Sequence, residues 1–174
     1  MPFVTDTDRV QAEIEVREAI VGRVETAPDV VNVHGRERRP EEGKKVEEVT
    51  TVPDPVTQQP ITRTVFVKWA GFSDREDTTD EQQTTLILRY NVVVLDEFVD
   101  TRPDGSDSEG GHRRRVLQIA SALKGDRHLG FDPTQVTHRL VGMPVDTQLI
   151  EEDEGGNMHL SVLTLSVEIV GFKG

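Results

Sequence analysis

The chain contains no cysteine among its 174 residues. Disulfide bonds, thiolate metal sites and a cysteine nucleophile are therefore excluded, while the redox compartment is left open. Apolar residues are also scarce, at 34% of the sequence. A chain of this length can still bury a core, so we expect one domain that carries long solvated loops or buries further surface by assembling.

Long hydrophobic runs and excess positive charge are missing too. No apolar window is long enough to span a bilayer, and no charged-then-apolar signal opens the chain. We therefore expect a soluble protein that is not exported by a cleaved signal and has no membrane partner. The formal net charge is −12, which argues against wrapping the outside of a nucleic acid because phosphate contacts need a cationic face. Passage of a nucleic acid through an acidic channel is left open.

The clearest pattern lies between Thr84 and Lys124. It begins with an alternating strand, whose apolar face carries Leu86, Leu88, Tyr90, Val92 and Val94. Residues 96–111 (DEFVDTRPDGSDSEGG) then predict an acidic loop, because they are too charged and too rich in proline and glycine for a ladder. Val116, Ile119, Ala120 and Leu123 follow at helical spacing, with Gly125 as a C-cap. We interpret this core as scaffold, since neither element carries a reactive group.

The other elements are predicted from the same signals. An N-terminal helix should begin near Asp8 and end near Thr26, with an apolar face formed by Val10, Ile14, Ile20, Val21 and Val24. Further strands are predicted at 30–33, 62–70, 135–143 and 158–172, with polar connections at 71–83 and 144–157. Residues 35–61 predict either a hairpin arm that a partner orders or a solvated loop.

Together these elements predict an α+β fold in a single domain, residues 1–174. A mixed, mainly antiparallel sheet should carry two main helices on one face, because local connections join most strands. The arm at about residues 35–61 and the acidic loop at about residues 100–111 should extend from this domain.

No motif predicts catalysis, a cofactor or a metal. The histidines are His34, His112, His128, His138 and His159. They lack helical zinc spacing, and ordinary surface histidines are favoured over a pair of His138 and His159 facing each other on neighbouring strands. Residues 104–110 (DGSDSEG) fail as a calcium loop because Glu109 stands where glycine is needed. Ser121, Ser161 and Ser166 lack a nucleophile context.

One sharply basic cluster stands out, His112-Arg113-Arg114-Arg115. At the start of a helix it opposes the macrodipole, at a cost of about 0.3–1 kcal/mol per charge. Arg113, Arg114 and Arg115 are therefore candidates for contact with a negatively charged partner, such as an acidic loop of a neighbouring identical subunit. Local pairing in solvent is the alternative. A second basic group, formed by Arg36, Arg38 and Arg39, is another candidate interface.

The order of elements resembles that of the tail terminator proteins of long-tailed (siphovirus) bacteriophages. The resemblance is carried by an N-terminal helix of the type VREAIVGRVE (16–25), a long strand TTLILRYNVVVLD (84–96), a helix RRRVLQIASALKG (113–125), and closing strands VTHRLVGMPVD and HLSVLTLSVEIVG. It covers most of the chain. Residues 35–61 and 100–111 exceed a minimal member of that family.

The resemblance implies a structural virion protein without catalysis. Its subunits would form a ring, a homohexamer, that caps the tail tube and joins the tail to the head and neck. Expected partners are identical subunits, the tail tube protein and a head completion (stopper) protein, and assembly would take place in the host cytoplasm. DNA would pass through the ring without specific binding, past acidic groups that repel phosphate, with Glu151, Glu152, Asp153 and Glu154 as candidates.

Three other functions are left open by the residues. A head-closure protein or the tail tube protein itself is the nearest, and a tube protein should show a two-sheet sandwich. A small acidic α/β enzyme would need a pocket with convergent carboxylates of perturbed pKa. A cellular binding module would use residues 35–61 as its recognition segment.

Overall fold

The computed structural model describes residues 9–28, 30, 33, 51–53, 58, 60–76, 84–98, 106–141, 148–151 and 157–172. Within them lie two helices and six strands. In chain order these are α1 (Arg9–Val24), β1 (Thr51–Pro53), β2 (Pro60–Glu76), β3 (Thr84–Phe98), α2 (Ser106–Lys124), β4 (Val136–Leu140), β5 (Gln148–Glu151) and β6 (Asn157–Phe172).

The strands form one sheet in the order β1-β2-β3-β6-β4, with β5 also pairing with β6. Every pairing among the described strands is antiparallel. β3 and β6 lie at the centre and are paired along almost their whole lengths. The predicted α+β class, with a mainly antiparallel sheet, is therefore confirmed.

Both helices pack on the same face of this sheet, which we call the inner face. The alternation predicted for β3 places its apolar residues there, and β6 supplies direct cross-strand partners, such as Leu163 opposite Val92 and Leu165 opposite Tyr90. Tyr90 is fully buried, and its hydroxyl donates a 2.9 Å hydrogen bond to the Glu13 carbonyl of α1. α2 meets the same face through the polar network described below.

α1 buries a narrow stripe of small and branched residues, namely Ala12, Val16, Ile20 and Val24. The predicted apolar face was wrong for Val10, which is 69% exposed. The i, i+4 spacing of the buried stripe centres the helix on Val16 and turns Val10 to its side. At the far end, Arg23 Nε donates a 2.6 Å hydrogen bond to the Ala122 carbonyl, so α1 caps the last turn of α2.

Three predicted connections are shorter than expected. β2 continues to Glu76 across a bulge between Trp69 and Gly71, where Gly71 adopts a φ of 125° that a side chain would strain. β5 lies inside the predicted exposed segment 144–157. α2 begins at Ser106, inside the predicted acidic loop.

The early start of α2 changes the position of the basic cluster within the helix. The first turn, which begins at Ser106, precedes the cluster. The cluster at 112–115 therefore lies in the second turn and beyond, and the macrodipole penalty predicted for it is reduced.

The predicted strand at 30–33 is not formed at Val30 or Val33, although both are buried; Val31 lies outside the described residues. Val52 belongs to β1, and most of segment 35–61 lies outside the described residues. Neither described helix has the length and apolar content needed to cross a membrane.

Candidate functional site

A buried polar network joins α2 to the inner face of the sheet. Asp96 lies near the end of β3, His112 in α2, and Ser161 in β6, diagonally across the ladder from Asp96. His112 Nδ1 lies 2.9 Å from Asp96 Oδ2, and its Nε2 lies 2.7 Å from Ser161 Oγ. Because a carboxylate only accepts hydrogen bonds, the Nδ1 proton is donated to Asp96.

Arg115 completes the network from the next turn of α2. Its Nε donates a 2.8 Å hydrogen bond to Asp96 Oδ1, the oxygen that His112 does not use. Asp96 is fully buried and Arg115 is 8% exposed, so this ion pair is withdrawn from water. Removal of one partner from a buried ion pair of this kind strongly destabilises the folded protein, because the other partner is left as an uncompensated charge.

His159 extends the network along β6. It stands opposite Asp96 in the ladder, and its ring stacks on the His112 ring with centroids 5.4 Å apart and planes 22° apart. It is 3% exposed. The interpretation of His112 and His159 as surface histidines was therefore wrong, because both fill space between α2 and the sheet.

The order Ser161, His112, Asp96 matches the hydrogen-bond order of a hydrolase relay. A nucleophile must reach a substrate carbonyl, however, and Ser161 is 1% exposed beneath α2. The two cavities described below are lined by other residues. The arrangement can hold α2 in register on the sheet.

His138 is the third buried histidine. It lies on β4 opposite Val167, and its Nε2 donates a 2.6 Å hydrogen bond to the Asp126 carbonyl just beyond α2. Burial lowers the pKa of His138 and favours the neutral ring. The predicted alternative that His138 faces His159 is wrong, since His159 stands opposite Asp96 and Leu149.

The turn between α2 and β4 is ordered by Asp126. Its carboxylate accepts hydrogen bonds from the backbone nitrogens of His128 and Gly130, at 2.9 and 2.8 Å, and the first of these is the main cause of its lowered pKa. His128 Nδ1 in turn lies 2.8 Å from the Val136 carbonyl. Polar groups of this turn therefore fix the start of β4. No group of three or more potential metal ligands occurs in the part of the chain that the structure describes.

The helix directs the arginines of the basic cluster to two different sides. Arg113 and Arg114 are exposed, while Arg115 faces Asp96 within its own subunit. Arg113 and Arg114 line a shallow groove of about 700 Å³, together with Leu117, which is 56% exposed, and the turn after α1. This groove stays a candidate interface.

The remaining predicted site residues are largely not described. Arg36, Arg38 and Arg39 lie outside the described residues, as do Glu152, Asp153 and Glu154. Glu151 is the last residue of β5, and only its backbone is described.

The face of the sheet opposite the helices, which we call the outer face, is divided into two halves. Its apolar half is made of cross-strand rows that join Phe66, Val93 and Val162, and then Leu95 and Leu160. Apart from Phe66, which is buried, these side chains are half-buried.

The basic half of the outer face lies farther along the strands, next to β4, and one cross-strand row separates it from the apolar half. There Arg89 of β3 and Arg139 of β4 both pair in register with Ser166 of β6, and both are exposed. Arg75 lies on the same face, 3.7 Å from Glu168. A cavity of about 620 Å³ continues this half around β4 and is lined by Lys124, Arg127, Thr137, His138, Arg139, Leu140, Ser166 and Glu168.

No protein-family model matches this chain, and no curated protein matches it at a significant level.

Proposed function

We propose that this chain is a structural subunit of a phage virion, a tail terminator that assembles into a ring. The observation that carries the proposal is the element order, with a first helix, a long central strand, a second helix and a closing pair of strands, and with both helices on one face of an antiparallel sheet. This is the arrangement that the resemblance of the sequence implies.

The distribution of polar groups supports a structural role. The side chains of Asp96, His112 and Ser161 are buried under α2 and form hydrogen bonds with one another. A small acidic enzyme should instead present convergent carboxylates in a pocket. The cavity at β4 contains a single carboxylate, Glu168, among cations and hydroxyls.

In the proposed mechanism, one face of the ring matches the last ring of the tail tube. The opposite face lacks that match, so that further tube subunits cannot add. It joins the head completion (stopper) protein instead. The exposed groove at Arg113, Arg114 and Leu117 is a candidate contact for one of these partners. DNA would pass the acidic residues 151–154 without binding.

A tail tube protein is the second candidate, and one observation separates the two. A tube protein is expected to form a two-sheet sandwich, whereas the described strands belong to one connected sheet. This supports the terminator over the tube protein.

Electron microscopy of the purified protein, alone and mixed with tail tubes, tests the proposal. Discrete annuli that sit at one end of each tube are expected. Open fibres of this protein alone would point to the tube protein, and an absence of both annuli and tube binding would contradict the proposal.

A further inference from the structure

The outer face and α1 lie on opposite sides of the sheet, and their charges are opposite. The basic half of the outer face exposes Arg75, Arg89 and Arg139, with Lys124 and Arg127 at its edge. Its one carboxylate in the described part, Glu168, is already close to Arg75. On a chain of net charge −12, this is a pronounced positive surface.

The side of α1 that points away from the sheet carries glutamates, with Gln11 at its N-terminal end and the half-buried Ile14 and Val21 along one border. Helical geometry, at 100° per residue, places Glu18 opposite the buried stripe centred on Val16. Glu25, the first residue after α1, keeps the helical direction because its backbone nitrogen donates to the Val21 carbonyl at 3.0 Å, so it lies on the same side. Glu15 lies beside them, and Gly22 adds no side chain between them, with open space around it. We call the surface formed by Glu15, Glu18, Gly22 and Glu25 the acidic face of α1. The arginines of α1 lie off this face: Arg9 pairs with Asp74, Arg17 pairs with Glu13, and Arg23 caps α2.

We propose that the basic half of the outer face binds the acidic face of α1 from a second copy of the chain. The inference rests on the proposed function in one respect, namely that copies of the chain assemble with one another. It adds which surfaces meet and the head-to-tail direction of the contact.

A protein partner fits the outer face better than a nucleic acid. The basic half is continuous with the apolar half, where Val93, Leu95 and Leu160 are half-buried. Protein interfaces combine apolar area with arginine, whereas a phosphate backbone offers nothing for an apolar surface to bury against. The overall charge of −12 also opposes approach of a nucleic acid.

A second copy is the partner with the matching charge pattern. Two strongly acidic subunits repel each other unless the contact includes a positively charged surface of one of them. The basic half of the outer face is such a surface. Because the two surfaces are different and lie on opposite sides of the subunit, the contact is heterologous. Repetition of a heterologous contact produces a closed ring when the rotation between neighbours closes.

A charge-reversal experiment tests this pairing by sedimentation velocity over a range of protein concentrations. The variant R89E/R139E makes the outer face acidic, and the variant E18K/E25K makes the face of α1 basic. Each variant alone should associate at least roughly 100-fold more weakly than the wild type, because like charges then face each other. An equimolar mixture of the two should assemble again, since every contact then joins opposite charges.

The exposed substitution R9E, at the start of α1 and off its acidic face, is the matched control. It should leave self-association unchanged, and circular dichroism should show that all variants are folded. Assembly of R89E/R139E at the wild-type level, or failure of the mixture to assemble, overturns the pairing while leaving a ring-forming wild type intact. A wild type that stays monomeric and does not bind tail tubes would overturn the proposed function as well.

Discussion

The two faces of the central sheet differ in how their polar residues are distributed. On the inner face, a buried polar cluster surrounds Asp96, and each oxygen of that carboxylate has a cationic or imidazole partner. On the outer face, one half is polar and charged, and its arginines Arg75, Arg89 and Arg139 are exposed. The inner face therefore determines how the helices lie on the sheet, whereas the proposed self-association uses the outer face. Substitutions should separate these two roles.

The largest effect is expected from Asp96→Ala on the inner face. The substitution leaves the Arg115 guanidinium buried without its carboxylate and removes the acceptor for His112 Nδ1. The free energy of unfolding should fall by about 3–5 kcal/mol. Urea denaturation followed by circular dichroism measures it. A loss below about 1 kcal/mol would show that the network does not hold α2 to the sheet.

The apolar part of the inner face should give a loss of similar or slightly smaller size. Leu165 is fully buried opposite Tyr90, and Leu165→Ala should cost about 2–5 kcal/mol through lost contacts and a residual cavity. The matched change on the outer face is Leu160→Ala, whose side chain is only half-buried and should cost clearly less. Equal losses in the two variants would mean that the outer face is part of the same core.

Tyr90→Phe should give a smaller loss. It removes one hydroxyl that donates to the Glu13 carbonyl in a buried site, where burial also raises the pKa of Tyr90 and keeps the donor proton in place. We expect a loss of about 1–2 kcal/mol in the same urea titration. A variant as stable as the wild type would argue that water replaces the hydroxyl.

Acidification should weaken the joint between α2 and β4 through His138. Its pKa is lowered by burial in the folded chain, so the unfolded chain binds its proton more readily. The contribution of the neutral ring is present above the unfolded pKa of about 6.5 and is lost as the pH falls below it. His138→Gln keeps a donor toward the Asp126 carbonyl and should flatten this part of the stability profile.

Comparison of wild type and His138→Gln between pH 7.5 and 5 isolates the effect, because the other histidines are common to both chains. Asp126, whose pKa is also lowered, contributes only at more acidic pH, below its ordinary value of 3.8. Parallel profiles for the two chains would contradict the prediction.

Arg89→Ala should have the smallest effect on stability. The side chain is exposed on the outer face, so a change within about 0.5 kcal/mol is expected. The same variant should weaken self-association, which sedimentation velocity would detect. An effect on stability without one on association would assign Arg89 to the fold alone.

Sequence patterns predicted the regular parts of the fold well. The alternation in Leu86–Val94 and the helical spacing of Val116 to Leu123 led to the right elements, because one face of each is buried and apolar. The end of β2 was missed because the bulge at Gly71 shifts the alternation by one residue, so that Phe72, 50% exposed, falls on the parity of the inner face.

The buried network could not be predicted from spacing, since its members come from three distant segments. One signal was present: Asp96 and Ser161 continue the inward-facing parity of apolar residues in their strands. A polar residue at such a position needs a buried partner. His112 and Arg115 are three residues apart on α2 and supply it.

Native mass spectrometry of the purified wild-type chain tests the central claim most directly. A structural subunit that assembles through its outer surfaces should give one discrete closed oligomer, with six copies expected for a terminator ring, and its abundance should fall as salt rises because the contact is electrostatic. A monomer at every protein concentration, or an open-ended ladder of oligomers, would contradict it.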